Sequence, residues 1–298
     1  MLYFIVNELS GKGAGKIAAE RIRERLGNTE YVMARTEYHA HAIELARDFS
    51  SKADCTGVVA VGGDGTFSEV LNGLDLRVPM GVISAGSGND FMRTFFPGSN
   101  IDSQLDTVLK GETQKIDFLE INGKRSLNVA GTGFDVDILL REKKFHKFLR
   151  GSLSYFAALI TTLFTMKFRT FDITIDESTR IKQECLLLTA ANGRYFGGGL
   201  PVSLESSIDD GTIDLVLIKR MPRIKVPGML IKFLKGKIGE VTKYVDIYHC
   251  TQIECSVLPK VDIQLDGELF DIPHFVCRLK EKALNIFVPT NSVAKISD

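Results

Sequence analysis

Short apolar runs alternate with amphipathic stretches through the first third of the chain. The runs have the length of buried strands, and between them apolar residues recur at helical spacing. The runs are residues 2–6, 58–61 and 80–84, and the helical stretches are residues 16–26, 40–49 and 66–74. Strands and helices in alternation predict a doubly wound α/β domain, in which helices cover both faces of a parallel sheet.

Strand patterns dominate from about Asp117 onward. Apolar runs at residues 116–121 and 126–130 flank Asn122-Gly123, a pair typical of a tight hairpin turn. The further predicted strands are residues 171–175, 184–190, 213–219, 244–248, 253–257, 261–265, 275–279 and 284–288, and helical insertions fall at about residues 138–164 and 226–238. The chain is therefore predicted to hold an α/β domain at residues 1–118 and a β-rich domain at 119–282, with residues 283–298 packing back on the first.

The composition is that of an ordinary globular protein. The chain has 298 residues, 44% hydrophobic and 25% charged, and this length favours about two domains. Lys+Arg and Asp+Glu both number 37, so no overall charge favours nucleic acid as a partner. The five cysteines form no CxxC pair, which disfavours a zinc or disulfide framework and favours a reducing cytoplasm.

Membrane contact is suggested only locally. The longest apolar stretch, residues 153–164, is shorter than the ~20 residues that a spanning helix needs. Basic residues beside this stretch suit an anionic membrane surface, although the same pattern fits a solvated face over a core. These residues are Arg141, Lys143, Lys144, Lys147 and Arg150, and a second basic and apolar mixture covers residues 219–237. Peripheral contact with the inner face of the cell membrane is therefore an expectation that the pattern leaves open.

A glycine-rich loop follows the strand at residues 58–61. The loop is Gly62-Gly63-Asp64-Gly65-Thr66, and Thr66 with Glu69 three residues later fits a capping box at a helix start. Glycines permit close approach of a ligand to the backbone, and a helix N-terminus suits a phosphate. Asp64 would repel a triphosphate, so we expect it to accept backbone N–H bonds or to hold a magnesium-bound water. The alternative is a plain strand-to-helix turn.

Two further loops carry glycines and hydroxyl groups. Residues 85–91 follow the next strand with Gly86, Ser87 and Gly88, and in a parallel sheet this loop would share an edge with the first. Residues 7–16 follow the first strand and carry Ser10, Lys12 and Lys16 among glycines. This third loop matches neither the Walker nor the dinucleotide fingerprint, and a surface loop is the alternative for each lysine.

Taken together, these motifs resemble the diacylglycerol kinase catalytic-domain family, in particular its soluble bacterial lipid kinases. GGDGT alone is shared with NAD kinases, but the ordered set over nearly the whole chain is specific. The matching segments are GGDGTFSEVLNGL at residues 62–74, AGSGNDF at 85–91, KID at 115–117, NVAGTGFD at 128–135, NGRYFGGG at 192–199, DDGTIDLVLI at 209–218 and LDGE at 265–268.

The resemblance implies an enzyme with ATP in the cleft between an α/β domain and a β-sandwich-like domain, and with a lipid hydroxyl as acceptor. Diacylglycerol, giving phosphatidic acid, is the expected acceptor. The implied nucleotide-binding residues are Asn7, Ser10, Gly11, Lys12, Thr36, Gly62, Gly63, Asp64, Gly65, Thr66, Phe67, Ser68 and Ser87. Ser87 and Ser68 stand where Thr and Asn are frequent in the family, and neither departure suggests an inactive member.

The resemblance also implies a magnesium site and a set of acids. Magnesium would be held by Asp210, with backbone oxygens from Ser207 and Thr212, which are hard ligands. The implied acidic network is Asp64, Asp90 and Asp117, and the implied proton acceptor is Asp266 or Glu268.

The residues leave other functions open. An NAD kinase would carry an Asn-Glu pair for the substrate ribose, which the matching region lacks. A non-catalytic regulator would have lost an acid from GGDGT, DDG or DGE, and all are present. Other acceptors, such as phosphatidylglycerol, a sphingoid base, ceramide or a polyprenol, are not distinguished, because scattered apolar side chains shape such pockets. Homodimer formation is equally open.

Overall fold

The first half of the chain alternates strands and helices in the computed structural model, which describes residues 1–145, 152–237 and 240–289. Four strands form parallel ladders in the order β2–β1–β3–β4. The elements are β1 Leu2–Val6, α1 Ala14–Leu26, β2 Tyr31–Arg35, α2 His41–Ser50, β3 Gly57–Gly62, α3 Asp64–Gly73, β4 Met80–Ser84, α4 Asp90–Phe95 and α5 Ile101–Lys110. The predicted α/β architecture is confirmed, and β2, α4 and α5 are additions to it.

Helices bury both faces of this sheet. Alternate strand residues point to opposite faces, so Tyr3 and Ile5 contact one apolar core while Phe4 and Val6 contact another. Helices α2 and α3 cover the first face, and α1 and α5 cover the second. Strand β3 is buried along its whole length, which explains its unbroken apolar run.

The second half is β-rich and mostly antiparallel, as predicted. Its strands enclose one apolar cluster, and its helices bury a second against the outside of the sheet. The elements are β5 Thr113–Ile121, β6 Lys124–Ser126, β7 Val129–Gly133, α6 Phe134–Phe145, α7 Ser152–Thr165, β8 Arg169–Ile175, β9 Thr179–Ala191, β10 Tyr195–Phe196, β11 Leu200–Pro201, β12 Ile213–Lys219, α8 Val226–Leu234, β13 Val245–Cys250, β14 Gln252–Leu258, β15 Ile263–Leu265, β16 Glu268–Phe270 and β17 His274–Phe287.

Strand β17 joins the two halves. The prediction of separate strands at residues 275–279 and 284–288 was wrong, because one strand spans both with a register shift against β5 between Lys280 and Leu284. Near its end, Ile286 pairs in parallel with Met80 of β4, and Leu284 and Ile286 are buried in the core of the first sheet. The domain limits at 118 and 282 stay predictions, and residues 290–298 lie outside the described residues.

Two smaller predictions have clear outcomes. The Asn122-Gly123 hairpin is confirmed, since both residues have positive φ and join the antiparallel β5 and β6. The helical insertion predicted at residues 138–164 holds helices α6 and α7, and its residues 146–151 lie outside the described residues. Among the helices of the described residues, none is both long and apolar enough to cross a membrane.

Candidate active site

Three loops meet at the carboxyl edge of the parallel sheet. They follow β1, β3 and β4, and they pack backbone against backbone. A Cβ atom on Gly86 would lie 2.5 Å from the Cα of Gly63, and one on Gly11 would clash with the carbonyl oxygen of Ala85. Gly11 also has a φ of 57°, which disfavours other residues. Glycine is therefore required for the loops to approach each other this closely.

Helix α3 begins inside the GGDGT loop. The predicted capping box was wrong, because the helix starts at Asp64, after an extended Gly63, and no side chain caps it. Thr66 Oγ1 is 3.3 Å from Asn7 Nδ2, and Glu69 accepts the backbone N–H groups of Ala40 and Ala42 at 3.0 and 3.2 Å. Thr66 and Glu69 thus accept hydrogen bonds from distant segments, and neither caps the start of its own helix. No side chain therefore occupies the first N–H groups of α3, and such groups suit an anion.

Asp64 and Asp90 link successive loops. The Asp64 carboxylate accepts the backbone N–H groups of Asp90 and Phe91 at 3.1 and 3.0 Å, at the start of α4. Asp90 in turn accepts the N–H of Gly198 at 2.8 Å, and burial raises the pKa of this carboxyl. Asp64 therefore acts through backbone bonds, one of the two indirect roles expected for it.

Asp117 lies apart from these two acids. Its carboxylate accepts the N–H groups of Gly211 at 2.9 Å and Lys282 at 2.6 Å, and burial raises its pKa. The side chain thereby ties the DDG turn to the middle of β17. The three acids of the predicted network are all clamps between segments, but only Asp64 and Asp90 line the central cavity.

The central cavity has a volume of about 550 Å³ and two unlike ends. One end is the glycine loops, with Ser10, Gly63, Gly65 and Ser87 in its wall. The other end is an apolar chamber between helices α6, α7 and α8 and strand β9. The chamber is lined by Phe134, Ile138, Leu139, Leu159, Leu186, Leu187, Phe196, Val226, Met229, Leu230 and Phe233. A polar ligand part and an apolar one would both find matching surfaces here.

Asp135 and Gln264 are polar groups in this wall that the sequence did not single out. Asp135 Oδ2 and Gln264 Nε2 are both buried near Gly131, and the Gln264 side chain lies close enough to Asp135 to oppose the effect of burial on its pKa. Burial raises the pKa of Asp135 to about 7. The sequence signal for Asp135 is its position at the end of the NVAGTGFD motif.

Asp266 and Glu268 have opposite surroundings. Asp266 lines the cavity, and its carboxylate accepts the Ser126 hydroxyl at 2.8 Å and three backbone N–H groups, from residues 127–129, at 2.9 to 3.0 Å. Burial nevertheless raises its pKa to about 6. Glu268 opens β16, and its Oε1 lies 3.8 Å from where a Cβ on Gly65 would be. Its carboxylate makes no hydrogen bond within the described ranges, and burial raises its pKa.

The predicted magnesium ligands lie together but away from the cavity. Asp210 accepts the N–H and hydroxyl of Thr212 through Oδ1, both at 2.9 Å, and the N–H of Ser207 through Oδ2 at 3.1 Å. None of the three residues lines the cavity. Both carboxylate oxygens of Asp210 are thus occupied by hydrogen-bond donors of the same turn. A carboxylate is a ligand that magnesium prefers, and the magnesium site at this turn stays a prediction.

The predicted nucleotide-binding residues divide into two groups. Ser10, Gly63, Asp64, Gly65, Phe67 and Ser87 line the cavity. Phe67 is fully buried in the core, and its N–H donates to Gly63 at 3.1 Å. Thr36 lies beyond β2, where its N–H donates to Val6 at 2.8 Å. The residues outside the cavity wall are Asn7, Gly11, Lys12, Thr36, Gly62, Thr66 and Ser68.

Comparison with known proteins covers almost the whole chain. Residues 1–121 match the family described as the diacylglycerol kinase catalytic domain, and residues 128–288 match the YegS C-terminal NAD kinase β-sandwich-like domain. A diacylglycerol kinase of Bacillus subtilis (strain 168) is 28% identical over 276 residues, covering 89% of this chain and 88% of the relative.

Solved structures share the fold. A diacylglycerol kinase from Bacillus anthracis str. Sterne has a TM-score of 0.77 at 24% identity, with 97% of each chain covered. An NAD kinase from Archaeoglobus fulgidus in complex with ATP has a TM-score of 0.55 at 17% identity, with 98% of this chain and 95% of that chain covered. At such identities the likeness establishes the architecture alone.

Proposed function

Because the chain belongs to the family that joins a diacylglycerol kinase catalytic domain to a YegS C-terminal domain, we propose that it is an ATP-dependent lipid kinase with diacylglycerol as its acceptor. The observation that carries this proposal is the cavity, which runs from the glycine loops into an apolar chamber. The triphosphate of ATP suits the end with the glycine loops, and a lipid suits the apolar chamber. The product would be phosphatidic acid.

The glycine loops suit the nucleotide. The uncapped start of α3 offers backbone N–H groups and a positive partial charge to phosphate. The Ser10 and Ser87 hydroxyls lie in the same wall. Phosphoryl transfer depends chiefly on positioning and on stabilisation of charge, and Asp64 and Asp90 hold the loops in position.

Asp266 is the one of the two candidate acids that lines the cavity, but Glu268, which borders the cavity-lining Gly65, is the better proton acceptor. Asp266 already accepts hydrogen bonds from residues 126–129. If it took a proton instead, those hydrogen bonds would weaken and the segment would lose its anchor. Glu268 is free of such bonds within the described ranges and lies beside Gly65, at the start of α3. In the proposed step, Glu268 takes the proton from the lipid hydroxyl. The hydroxyl oxygen bonds to the γ-phosphorus, the bond to the β–γ bridging oxygen breaks, and ADP leaves.

The apolar chamber suits an acyl chain. Its lining is almost wholly hydrocarbon, and burying each methylene there contributes ~0.8 kcal/mol. Asp135 and Gln264 bring buried polar side chains to the wall, so we expect them to face the polar part of the acceptor. The bases of a dinucleotide such as NAD carry polar atoms around their rings, and the hydrocarbon lining would leave these atoms without partners, which favours a lipid.

Two chamber helices also expose apolar side chains, which supports peripheral contact with a membrane. Phe164 on α7 is 79% exposed and Ile231 on α8 is 53% exposed. Lys147 and Arg150 of the basic stretch lie outside the described residues. The double change of Phe164 and Ile231 to Asp should lower turnover on lipid vesicles several-fold while leaving turnover on detergent-dispersed lipid intact. Equal turnover of wild type and variant on vesicles would reject docking through these helices.

Magnesium, when bound with ATP, supplies neutralising charge to the phosphates. On this chain Asp210, with Ser207 and Thr212, would hold a magnesium ion that stiffens the DDG turn.

The test is a phosphate-transfer assay with γ-labelled ATP. Acceptors would be diacylglycerol, phosphatidylglycerol, a sphingoid base, ceramide, a polyprenol and NAD, the lipids each in mixed micelles. We expect the label on diacylglycerol. Label on another lipid would keep the reaction and change the acceptor, and label on NAD alone would reject a lipid kinase.

A further inference from the structure

Three metal-ligating side chains from separate segments converge beside the candidate proton acceptor. They are His39, between β2 and α2; Glu69, on α3; and Glu268, at the start of β16. One ligand atom of each lies within 4.8 Å of the other two, and His39 Nδ1 is 3.3 Å from Glu69 Oε1. In the part of the chain that the structure describes, this is the one such group of three.

The spacing fits a small transition-metal ion after minor side-chain movement. Zn²⁺ binds imidazole nitrogen and carboxylate oxygen at ~2.0–2.2 Å, so tetrahedral ligand atoms lie about 3.3–3.6 Å apart. His39 is largely exposed and free to adjust its rotamer. An imidazole ligand favours Zn²⁺ over Mg²⁺, which prefers oxygen ligands and keeps its waters.

Glu69 is held in place for this role. Its two carboxylate oxygens accept the N–H groups of Ala40 and Ala42, which orients the carboxylate, and each oxygen keeps a lone pair. Such supporting hydrogen bonds are characteristic of metal-ligating carboxylates.

Glu268 provides the second, independent observation. Its half-buried carboxylate accepts no hydrogen bond within residues 1–145, 152–237 and 240–289. Lys124 and Lys143 act on it electrostatically, and neither forms an ion pair with it among the described residues. A bound cation would satisfy a charge that the protein leaves without a close partner.

We propose that His39, Glu69 and Glu268 form an inhibitory Zn²⁺ site. A zinc ion there binds the Glu268 carboxylate oxygen that would otherwise take the proton, so transfer is blocked. The ion also links helix α3 to strand β16. Water fills the fourth position. The metal binding stands on the three side chains alone, whereas the inhibition rests on the function proposed above.

Binding is tested first, on the full chain, by calorimetry with Zn²⁺ and by the visible absorption of Co²⁺ as a probe. We expect one site in the wild type and at least a tenfold weaker site in His39→Ala. The matched control is His274→Ala, because His274 lies on β17 outside the group, where its ring bonds to Ser256; this variant should bind like the wild type. Equal Zn²⁺ affinity in wild type and His39→Ala would overturn the site.

Inhibition is tested separately, with buffered free Zn²⁺ and excess magnesium-ATP. Lipid phosphorylation by the wild type should fall with the occupancy measured by calorimetry, and His39→Ala should keep its basal activity and resist. If His39-dependent binding occurs without loss of activity, the inhibitory role is wrong and the site stands. If no lipid is phosphorylated, the proposed function fails while calorimetry still decides the site.

Discussion

Asp266 and Glu268 lie two residues apart in one motif, yet their side chains make different contacts in the fold. Asp266 fixes residues 126–129 through four hydrogen bonds, and Glu268 projects beside Gly65 without any among the described residues. The two-residue spacing alone does not distinguish which of the two acids is the proton acceptor. The difference arises from a segment about 140 residues earlier in the chain, as the contacts to Ser126 show.

Glu268→Gln should reduce kcat at least ~100-fold, because it removes the group that takes the hydroxyl proton and keeps the shape of the side chain. Stability should stay within ~0.5 kcal/mol, since no hydrogen bond among the described residues is lost. Steady-state kinetics and a urea titration measure the two effects. Full activity in this variant would remove Glu268 from the mechanism.

Asp266→Asn should act mainly on stability. The amide places an NH₂ group against donors from residues 126–129, and a buried donor without an acceptor costs ~1–3 kcal/mol. The midpoint of urea unfolding should therefore fall. An unchanged midpoint together with abolished turnover would reverse the roles given to the two acids.

At the scale of elements, the three glycine loops form one site only because their backbones touch. Their glycines and their places after strands were predictable from local sequence. The exact start of α3 was not, because Thr66 and Glu69 bond to Asn7 and to the start of α2 instead of capping their own helix. Local signals predict a cap only when no distant donor competes for the same side chains.

Gly86→Ala should weaken ATP binding at least tenfold. The new methyl group would lie 2.5 Å from the Cα of Gly63, so one loop must move away from the start of α3. Equilibrium titration with an ATP analogue measures the change. Gly228→Ala is the matched control, since a Cβ there meets nothing within 4 Å and its helix should gain ~0.5–1 kcal/mol. Unchanged nucleotide affinity in Gly86→Ala would show that the loops need not touch.

At the scale of the whole molecule, the chamber unites parts of the chain that sequence reasoning treated separately. Helices α6, α7 and α8 and strand β9 each showed apolar residues, but core and pocket have the same pattern. Only the tertiary arrangement distinguishes them, which is why Asp135 and Gln264 were missed. The fold class and the glycine loops at the sheet edge were predictable, and the apolar chamber was not.

A larger side chain in the chamber should impair use of the lipid without weakening ATP binding. Leu187→Trp adds a bulky ring to the wall formed by β9, so lipid turnover should fall at least tenfold while ATP affinity is retained. The comparison requires kcat/KM for diacylglycerol and the Kd for an ATP analogue. Unaltered kcat/KM for diacylglycerol would place the acyl chain elsewhere.

Strand β17 has a consequence for how such a protein can be assembled or divided. Its end pairs with β4 and fills the core of the first sheet, although it belongs to the second family match. A fragment ending at residue 121 would expose the β4 edge, a template for aggregation. Modular exchange between relatives should therefore succeed only when β4 and β17 come from the same parent.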